Sequence, residues 1–340
     1  RGANPQHEVM AAEARKARYG ILSTAFIARK VSPAIHEADN AELVAVASRS
    51  LEKAEAFAKE MGIPKAYGSY DELVNADDID VVYIPLPTAY KTEWALKAAK
   101  AGKSIHLEKP LPGIESTEEL ESILKACEEN GVQFVDGSMW QHSKRTKKID
   151  ETVAAGTLGD LRHISACFTF PAPDDEWLHG GNGRTDKTRE PWGCFGDAGW
   201  YPVSAIMHFA GYKLPKKVQM ISTTINRVDT IVAGAAVMWW DDFFATLDYG
   251  VISSHRSCVT VHGSEAALTI EDLVGGFGKT GNFTAYETHF TGSDYFKLDD
   301  KLGKEEVVRV EPCNHTTELV RDAARCALGE KEERWPKAAL

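Results

Sequence analysis

The sequence has no long hydrophobic run and no excess of basic residues. Its longest apolar stretch, Ile231–Trp240, covers ten residues, whereas a membrane-spanning helix needs about 20. The 340 residues include 39 lysines and arginines and 50 acidic residues, which gives a formal charge of −11. A surface of that sign repels phosphate backbones and anionic lipids. We therefore expect neither membrane insertion nor a nucleic-acid partner.

Cysteine and histidine lack the spacing of metal ligands or of a disulfide framework. The six cysteines contain no C-x-x-C pair, and the eleven histidines are equally scattered. This usage is typical of a reducing compartment, where thiols act as small buried hydrophobic groups. We expect no metal site, six free thiols, and a protein of the cytoplasm or of an organelle matrix or stroma rather than a secreted one.

Residues 1–18 are predicted to form an N-terminal arm. They are mixed in charge and end in the basic run Arg15, Lys16 and Arg18. Two interpretations stay open, namely the remainder of a cleaved organelle-targeting segment and a plain surface arm. The arm therefore leaves the compartment undetermined.

Short apolar runs alternate with helical patterns from residue 19 to residue 142. Near-continuous apolar strands between amphipathic helices indicate a parallel sheet that is covered on both faces. The predicted strands are Tyr19–Leu22, Leu43–Ala47, Ile79–Ile84, Ser104–Leu107 and Val132–Asp136. The sequence thus predicts an α/β domain of the doubly wound, dinucleotide-binding (Rossmann) type over residues 19–142.

The pattern changes in residues 143–340, where strand-like runs follow one another without long helices between them. This succession of strand-like runs predicts a second domain of the α+β class, with an open, mostly antiparallel sheet. Its strands are Arg162–Phe170, Lys217–Ile225, Val232–Trp240, Phe243–Leu247 and Cys258–His262, and its last helix is Thr317–Leu328. The segment Ala172–Gly196 has no periodicity, and loops of that length are usually functional or disordered.

The turn after the first strand lacks the glycines of a dinucleotide-binding loop. A G-x-G-x-x-G/A pattern lets backbone amides at the helix N-terminus approach a pyrophosphate. Ser23, Ala25 and Ala28 occupy those three positions, and small residues still permit a close approach. We therefore predict that the turn residues bind the cofactor: Ser23, Thr24, Ala25, Phe26 and Ile27.

The second strand ends without the carboxylate that would bind the ribose 2′-hydroxyl of NAD. Ser48 and Arg49 stand there instead. A guanidinium suits a 2′-phosphate, so NADP(H) is the predicted cofactor and NAD(H) the less favoured one. The alternative is a serine at a helix N-cap beside a solvated arginine.

Three motifs carry a family resemblance. Pro85-Leu86-Pro87-Thr88 follows one strand, Glu108-Lys109-Pro110 follows the next, and Asp197-Ala-Gly-Trp-Tyr201 lies at the start of the second domain. Together they resemble the glucose–fructose oxidoreductase / inositol 2-dehydrogenase (Gfo/Idh/MocA) superfamily, from about Tyr19 to Pro336. The subgroup with the tyrosine motif includes dimeric dihydrodiol dehydrogenases and NADP-dependent D-xylose dehydrogenases.

The resemblance implies a role for individual residues. Lys109 matches the lysine beside the nicotinamide and the reacting carbon, Tyr201 matches the acid/base, and Asp197 matches a carboxylate of the same pocket. The remaining motif residues match cofactor contacts: Pro85, Leu86, Pro87, Thr88, Glu108 and Pro110. Lys91 stands where many relatives have histidine, so no role is carried to it.

The chemistry of alcohol oxidation explains why a lysine and a tyrosine would be needed at such a site. Oxidation of an alcohol needs hydride transfer to a nicotinamide and removal of the hydroxyl proton by a base. Free tyrosine has a pKa of about 10, so we expect the Lys109 ammonium to lower the pKa of Tyr201. The alternative is a core aromatic residue and an unrelated surface lysine.

The substrate contacts expected from the resemblance are Trp140 and Arg184. Trp140 would stack on a sugar ring or an aromatic diol, although a tryptophan between domains is as often packing. Arg184 lies in the long segment before Asp197, with surface solvation as its alternative. Trp177, Trp192 and Trp200 crowd the same segment and suggest an aromatic lid.

The predicted function is an NADP-dependent oxidoreductase acting on a hydroxyl or carbonyl of a sugar or cyclic trans-diol. The alternative is a cofactor-binding subunit of a larger assembly with little or no turnover. A hydrolase or lyase on the same fold is disfavoured, since its acid/base residues cannot be placed. Relatives commonly pair through the open sheet, and Val232–Leu247 offers apolar residues for a homodimer interface.

Overall fold

Two β-sheets and the helices on them are described by the computed structural model, which covers residues 15–113, 116–274 and 294–330. Sheet A contains β1 (Ala17–Leu22), β2 (Ala41–Ala47), β3 (Lys65–Tyr67), β4 (Val81–Ile84), β5 (Ser104–Leu107) and β6 (Phe134–Asp136). Its helices are α1 (Phe26–Glu37), α2 (Leu51–Met61), α3 (Tyr70–Val74), α4 (Thr88–Lys100) and α5 (Glu118–Glu129).

Sheet A is parallel in all of its described pairings, in the order β3-β2-β1-β4-β5-β6. Every residue of β4 and β5 is buried because helices cover both faces. The strand order reverses between β1 and β4, and ligands of such sheets bind at the carboxyl edge near that point. The predicted doubly wound domain is confirmed, with β3 as an additional short strand.

Sheet B forms the second part of the structure. It contains β7 (Leu161–Pro171), β8 (Lys217–Ile225), β9 (Ile231–Trp239), β10 (Phe244–Gly250), β11 (Ile252–Gly263), β12 (Ala266–Ile270), β13 (Tyr295–Asp300) and β14 (Glu305–Arg309). The order is β14-β13-β12-β11-β7-β10-β9-β8. Within the described residues of sheet B, only β7 and β10 pair in parallel. This confirms the mostly antiparallel sheet.

One face of sheet B is covered and the other is open. Burial alternates strictly along β9, where Val232, Ala236 and Met238 belong to the core. Helix α8 (Trp200–Phe209) packs on this covered face, against β7 and β10. The side chains at the odd positions of β9 lie on the open face, since successive residues of a strand point to opposite sides.

The long segment between β7 and α8 is built from short helical turns. It contains α7 (Asp175–Leu178), a 3₁₀ turn at Gly183–Thr185, and a π-helical turn at Phe195–Gly199 that continues into α8. Single π turns often occur at functional sites. This turn places Asp197 one helical turn before Tyr201.

The last described helix, α9 (His315–Ala327), returns to sheet A, while α6 (Lys144–Ala154) connects the two sheets. The Thr317 hydroxyl donates to a Glu37 carboxylate oxygen at 2.5 Å, and Asn40 Nδ2 donates to the Arg321 carbonyl at 2.9 Å. The segment predicted as the second domain therefore contributes a helix to the first.

The predicted N-terminal arm, residues 1–18, overlaps the first strand by two residues. Strand β1 already begins at Ala17, and Arg18 donates to the Asp80 carboxylate at 2.9 Å. Residues 1–14 lie outside the described residues. Among the helices described, none is long and apolar enough to cross a membrane.

Candidate active site

A cleft of about 1140 Å³ lies along the carboxyl edge of sheet A, facing the covered side of sheet B. The segments that follow β1, β2, β4, β5 and β6 all contribute to its wall. Typical small-molecule pockets have about 300–1,000 Å³. The cleft is thus large enough for a dinucleotide together with a second small molecule.

Most of the residues predicted from sequence line this cleft. They follow a strand end of sheet A, or they lie in the segment before α8 or in the first turn of α8. They are Ser23, Thr24, Ala25, Phe26, Ile27, Arg49, Pro85, Leu86, Pro87, Glu108, Lys109, Pro110, Arg184, Asp197 and Tyr201.

Three predicted residues do not line the cleft. Trp140 is fully buried, and its ring packs edge-on against His208 at 5.3 Å, so its expected contact with substrate is corrected. Ser48 is also buried, and its hydroxyl accepts a hydrogen bond from the Ser50 amide. Thr88 is buried as well, and its hydroxyl and its amide both donate hydrogen bonds to the Glu190 carboxylate of the facing segment.

The centre of the cleft holds a charged cluster of Lys109, Asp197 and Arg184. Lys109 Nζ donates to Asp197 Oδ1 at 2.6 Å and to the Asp197 carbonyl at 3.2 Å, while Arg184 Nε donates to Oδ2 at 2.6 Å. Burial alone would raise the pKa of Asp197, but the two cations hold that pKa well below its usual range. Burial likewise opposes the charge of Lys109, yet Asp197 raises the pKa of the ammonium overall. Both groups are therefore ionised at neutral pH.

Tyr201 lies against this cluster, with Lys109 Nζ 4.9 Å from the centre of its ring. Its pKa is raised, first of all by burial and further by the charges of Glu108 and Asp197, while Lys109 lowers it by a smaller amount. Lys109 therefore lowers the Tyr201 pKa as expected, but burial outweighs that effect and the overall shift is upward. The phenol stays protonated at neutral pH.

Glu108 holds the backbone of Lys109 in place. Its Oε2 accepts from the Lys109 amide at 3.1 Å, and its Oε1 accepts from the Tyr83 hydroxyl at 2.8 Å. Burial raises the pKa of Glu108, and Lys109 opposes that effect. A carboxylate anchored at both oxygens fixes the strand end from which the Lys109 side chain projects.

A second buried cation, Lys91, lies behind the Lys109–Pro110 peptide. Its Nζ donates to the Pro110 carbonyl at 2.6 Å and reaches the Thr88 hydroxyl at 3.5 Å. Burial lowers the pKa of Lys91 to about 8, although Glu190 raises it. Thr88 in turn donates from Oγ1 to Glu190 Oε2 at 2.6 Å and from its amide to Oε1 at 3.2 Å.

The end of the cleft at β1 and β2 suits an anion. No side chain caps the N-terminus of α1, whose first turn also carries no acidic residue, and uncapped amides at a helix N-terminus attract phosphate. Ser23 has a φ of 113°, a region that favours glycine, and its hydroxyl accepts from the Ala25 amide at 3.0 Å. Arg49 supplies a cation at the same end.

The opposite end, beyond Lys109, has an aromatic wall. Phe168, Phe170 and Trp177 line it, and the Phe168 ring contacts Tyr201 with ring centres 5.0 Å apart. The Arg184 guanidinium lies 5.9 Å from the centre of the Trp177 ring. An aromatic surface beside hydrogen-bonding groups suits a ring with one apolar face and several hydroxyls.

Sequence reasoning missed several residues of the cleft. Tyr70, Tyr90 and Trp94 line the end near Arg49, and the Tyr70 and Trp94 rings meet edge-on at 5.0 Å. A signal was present, since Ser69 caps α3 by accepting from the Glu72 amide, and S-x-x-E predicts a helix start. Arg189 and Glu190 of the facing segment carried no comparable signal.

The arrangement offers no metal centre among the described residues, where no group of three or more histidine, cysteine or carboxylate side chains could hold an ion. Its chemistry is that of a proton donor, a buried ammonium and an anion-binding helix end. These are the protein groups that nicotinamide-dependent hydride transfer requires.

Comparisons with known proteins agree with this geometry. Residues 17–138 match the family model described as "Oxidoreductase family, NAD-binding Rossmann fold", and residues 146–269 match the "GFO/IDH/MocA C-terminal domain". A D-xylose 1-dehydrogenase (NADP(+)) of Haloferax volcanii is 36% identical over 222 residues, 64% of this chain and 64% of the relative. A mouse trans-1,2-dihydrobenzene-1,2-diol dehydrogenase is 31% identical over 211 residues, 60% and 59% of the two chains.

A solved structure shares the whole fold. The 3-ketoreductase of Actinomadura kijaniata, crystallised with NADP and TDP-benzene, superposes with a TM-score of 0.79 and 24% identity. The match covers 96% of this chain and 94% of that one. The order of the two parts of this chain is therefore that of a known oxidoreductase fold.

Proposed function

Because the chain belongs to the GFO/IDH/MocA oxidoreductase family, we propose that it is an NADP(H)-dependent enzyme acting on a sugar or cyclic trans-diol. It interconverts a hydroxyl and a carbonyl of that substrate. The observation that carries the proposal is the convergence of Lys109, Asp197 and Tyr201 at the centre of one cleft. The relatives named after D-xylose and a trans-diol support the substrate class.

The residues present fit the cofactor. The uncapped N-terminus of α1 would receive its pyrophosphate, and Arg49 its 2′-phosphate. Tyr70 and Trp94 offer aromatic surface for the adenine beside Arg49. When bound, the nicotinamide supplies or accepts the hydride.

The protein's own contribution is the movement of one proton. Tyr201 keeps its phenolic proton at neutral pH because burial raises its pKa. The Tyr201 hydroxyl therefore donates that proton to a substrate carbonyl oxygen, and it takes the proton back in the oxidative direction. The Lys109 ammonium polarises the same oxygen, while Asp197 fixes the position of Nζ at 2.6 Å.

Substrate selection falls to the aromatic wall and to Arg184. Phe168, Phe170 and Trp177 cover one face of a ring, and the part of the Arg184 guanidinium that Asp197 does not occupy can donate to hydroxyls. Trp177 thus takes the role that the sequence had suggested for Trp140.

The test is turnover of a substrate panel. NADP⁺ reduction is followed with D-xylose, other pentoses, hexoses and trans-cyclic diols, and NADPH oxidation with the matching ketoses and diketones. Tyr201→Phe keeps the ring but removes the proton, so turnover should fall by about 10²–10⁴-fold while NADPH affinity barely changes. Tyr295→Phe, on β13 and outside the cleft lining, is the matched control. Normal turnover of Tyr201→Phe would contradict the proposal.

Lys109→Met should reduce turnover by a similar factor. The double variant with Tyr201→Phe should lose far less than the product of the two factors, because groups that act as a unit are not additive. NADPH binding without turnover on any substrate would instead favour the non-catalytic cofactor-binding alternative.

The cofactor part of the proposal is tested separately. A hydrogen bond to a charged group contributes about 1.5–3 kcal/mol, which corresponds to a roughly 10- to 150-fold preference for NADPH over NADH. Arg49→Ala should remove most of that preference, and Lys53→Ala on the exposed side of α2 should leave it intact. Equal affinity of the unaltered protein for both cofactors would contradict the role of Arg49.

The proposal also includes a homodimer that forms through the open face of sheet B. Val237 and Trp239 lie on this face of β9, and Phe244 of β10 is exposed beside them. Light scattering on the eluting protein should give twice the chain mass. Val237→Glu should yield a monomer, whereas Leu302→Glu, in an exposed turn, should not.

A further inference from the structure

Two of the six cysteines, Cys167 and Cys258, come into direct contact. They are 91 positions apart in sequence, yet their sulfur atoms are 3.1 Å apart. All six cysteines are free thiols in the structure. The sequence predicts six free thiols, and the fold brings two of these thiols into contact.

The backbone places this pair where a disulfide can form without rearrangement. Cys167 on β7 and Cys258 on β11 are direct cross-strand partners in an antiparallel ladder. Such partners have Cα atoms about 4.5–5.5 Å apart, and a disulfide spans Cα separations of about 4.4–6.8 Å. The bond would join two neighbouring strands in the interior of sheet B.

The chemistry of the two sulfurs is unequal. The two sulfur atoms share one hydrogen bond; when the Cys258 thiol donates it, the bond stabilises a Cys167 thiolate and so lowers the pKa of Cys167. The same bond raises the pKa of Cys258, which keeps its proton. Arg256 also favours the Cys167 thiolate, although its guanidinium is paired with Asp248.

For three of the other thiols the pKa shifts in the opposite direction to that of Cys167. Burial raises the pKa of Cys127 to about 12, and burial also raises the pKa of Cys194 and of Cys313. The thiolate is the form that reacts with peroxides and disulfides. Cys167 is therefore the favoured nucleophile, and Cys258 is positioned as its resolving partner.

We propose that Cys167 and Cys258 form a peroxide-reactive dithiol site that closes to an intramolecular disulfide. The Cys167 thiolate attacks one oxygen of a hydroperoxide; the O–O bond breaks, the leaving oxygen takes up a proton as water or alcohol, and Cys167 becomes a sulfenic acid. The Cys258 sulfur then attacks the Cys167 sulfur, the S–O bond breaks, and water leaves with the Cys258 proton. Two thiols are oxidised and one hydroperoxide is reduced.

The cysteine pair lies outside the active-site cleft, but the disulfide would close a loop of the chain that contains residues of that cleft. Neither cysteine lines the cleft, whereas Arg184, Asp197 and Tyr201 all lie between positions 167 and 258. A cross-link over so long a loop restricts the unfolded chain strongly. We expect the oxidised protein to melt on the order of 5 °C higher than the reduced one.

The experiment uses the full chain, reduced and then freed of reductant. Stoichiometric hydrogen peroxide should remove two mass units from the intact protein and leave four alkylatable thiols. Peptide mapping should identify the Cys167–Cys258 cross-link, and dithiothreitol should reverse it. This measurement on the unaltered protein needs no variant to fold.

Matched variants separate the two roles. In Cys258→Ser, a dimedone label should appear on Cys167, because the sulfenic acid has no resolving thiol. Cys167→Ser should react at least tenfold more slowly at Cys258, and Cys127→Ser should behave as the unaltered chain. An intermolecular cross-link, a different pair, or equal reactivity of all six thiols would overturn the proposal. None of these readouts depends on turnover, so the proposed enzymatic function succeeds or fails separately.

Discussion

Lys91 offers a direct test of the electrostatics behind the active site. The side chain is almost completely buried, and it has no carboxylate within ion-pair distance among the described residues. Burial lowers its pKa from 10.5 to about 8. A shift of that size means that the charged lysine costs roughly 3 kcal/mol of stability at neutral pH.

The sign of the pH dependence follows from linkage. Between pH 8 and pH 10.5 the unfolded chain holds the Lys91 proton and the folded chain has released it. Stability therefore rises with pH in this window, relative to a chain without the lysine. For a native pKa of about 8, the gain between pH 7.5 and pH 10 is about 2 kcal/mol.

Lys91→Met is the appropriate change, since methionine keeps most of the volume and removes the charge. Its stability at pH 7.5 should stay within about 2 kcal/mol of the unaltered chain, because the lost hydrogen bond to Pro110 offsets the relieved burial cost. Urea unfolding at several pH values gives the difference between the two proteins, in which other titrating groups cancel. Lys100→Met, exposed at the end of α4, controls for the loss of one lysine.

A difference between the unaltered chain and Lys91→Met that stays constant from pH 7.5 to pH 10 would refute the reasoning. The lysine would then hold its proton in the folded state as firmly as in the unfolded chain. The opposite slope would mean that its neighbouring carboxylates outweigh burial.

Substitutions at three further positions test other parts of the site. Ser23→Gly should raise the free energy of unfolding by up to about 1 kcal/mol, because glycine accepts a φ of 113°; Ser23→Ala should lower it, since it keeps the strain and loses the bond to the Ala25 amide. Glu190→Gln should lower stability in urea by about 1–2 kcal/mol, because its amide nitrogen cannot accept from Thr88. Asp197→Asn should cost about 3–5 kcal/mol at pH 7. It should also reduce the loss of stability below pH 4, since the stabilisation from the lowered pKa of Asp197 is complete above the carboxyl's unfolded pKa and is lost as the pH falls towards its folded pKa; an unchanged acid transition would contradict this.

The fold was predictable where hydrophobic patterns were strong. The apolar strand β4, together with Ile105 and Leu107 of β5, indicated a covered parallel sheet. Strand β3 was not predicted because its three half-exposed or exposed residues show no hydrophobic period. Strand β14 was not predicted because it is mostly polar and exposed. These edge elements are held by pairing with their neighbours rather than by burial of their own side chains.

The active site was predictable where its residues follow strand ends. Lys109 lies two residues after the end of β5, so its place at the carboxyl edge could be inferred from the chain alone. Trp140 could not be placed, because a 3₁₀ turn after β6 directs Met139 to the cleft and Trp140 into the core. The direction of the Tyr201 pKa shift depends on whether burial outweighs the Lys109 charge, and the depth of burial cannot be inferred from the sequence.

The contact between Glu190 and α4 has a kinetic consequence. Glu190 accepts twice from Thr88, and the Ala89 amide donates to the Arg189 carbonyl at 3.1 Å. These three bonds join the segment before α8 to a helix of the other sheet, so any widening of the cleft there would have to break them. At about 1 kcal/mol each, they would keep the widened state at about one molecule in a hundred. A ligand that can enter only the widened cleft would then be captured at a rate set by how often these three hydrogen bonds break rather than by diffusion.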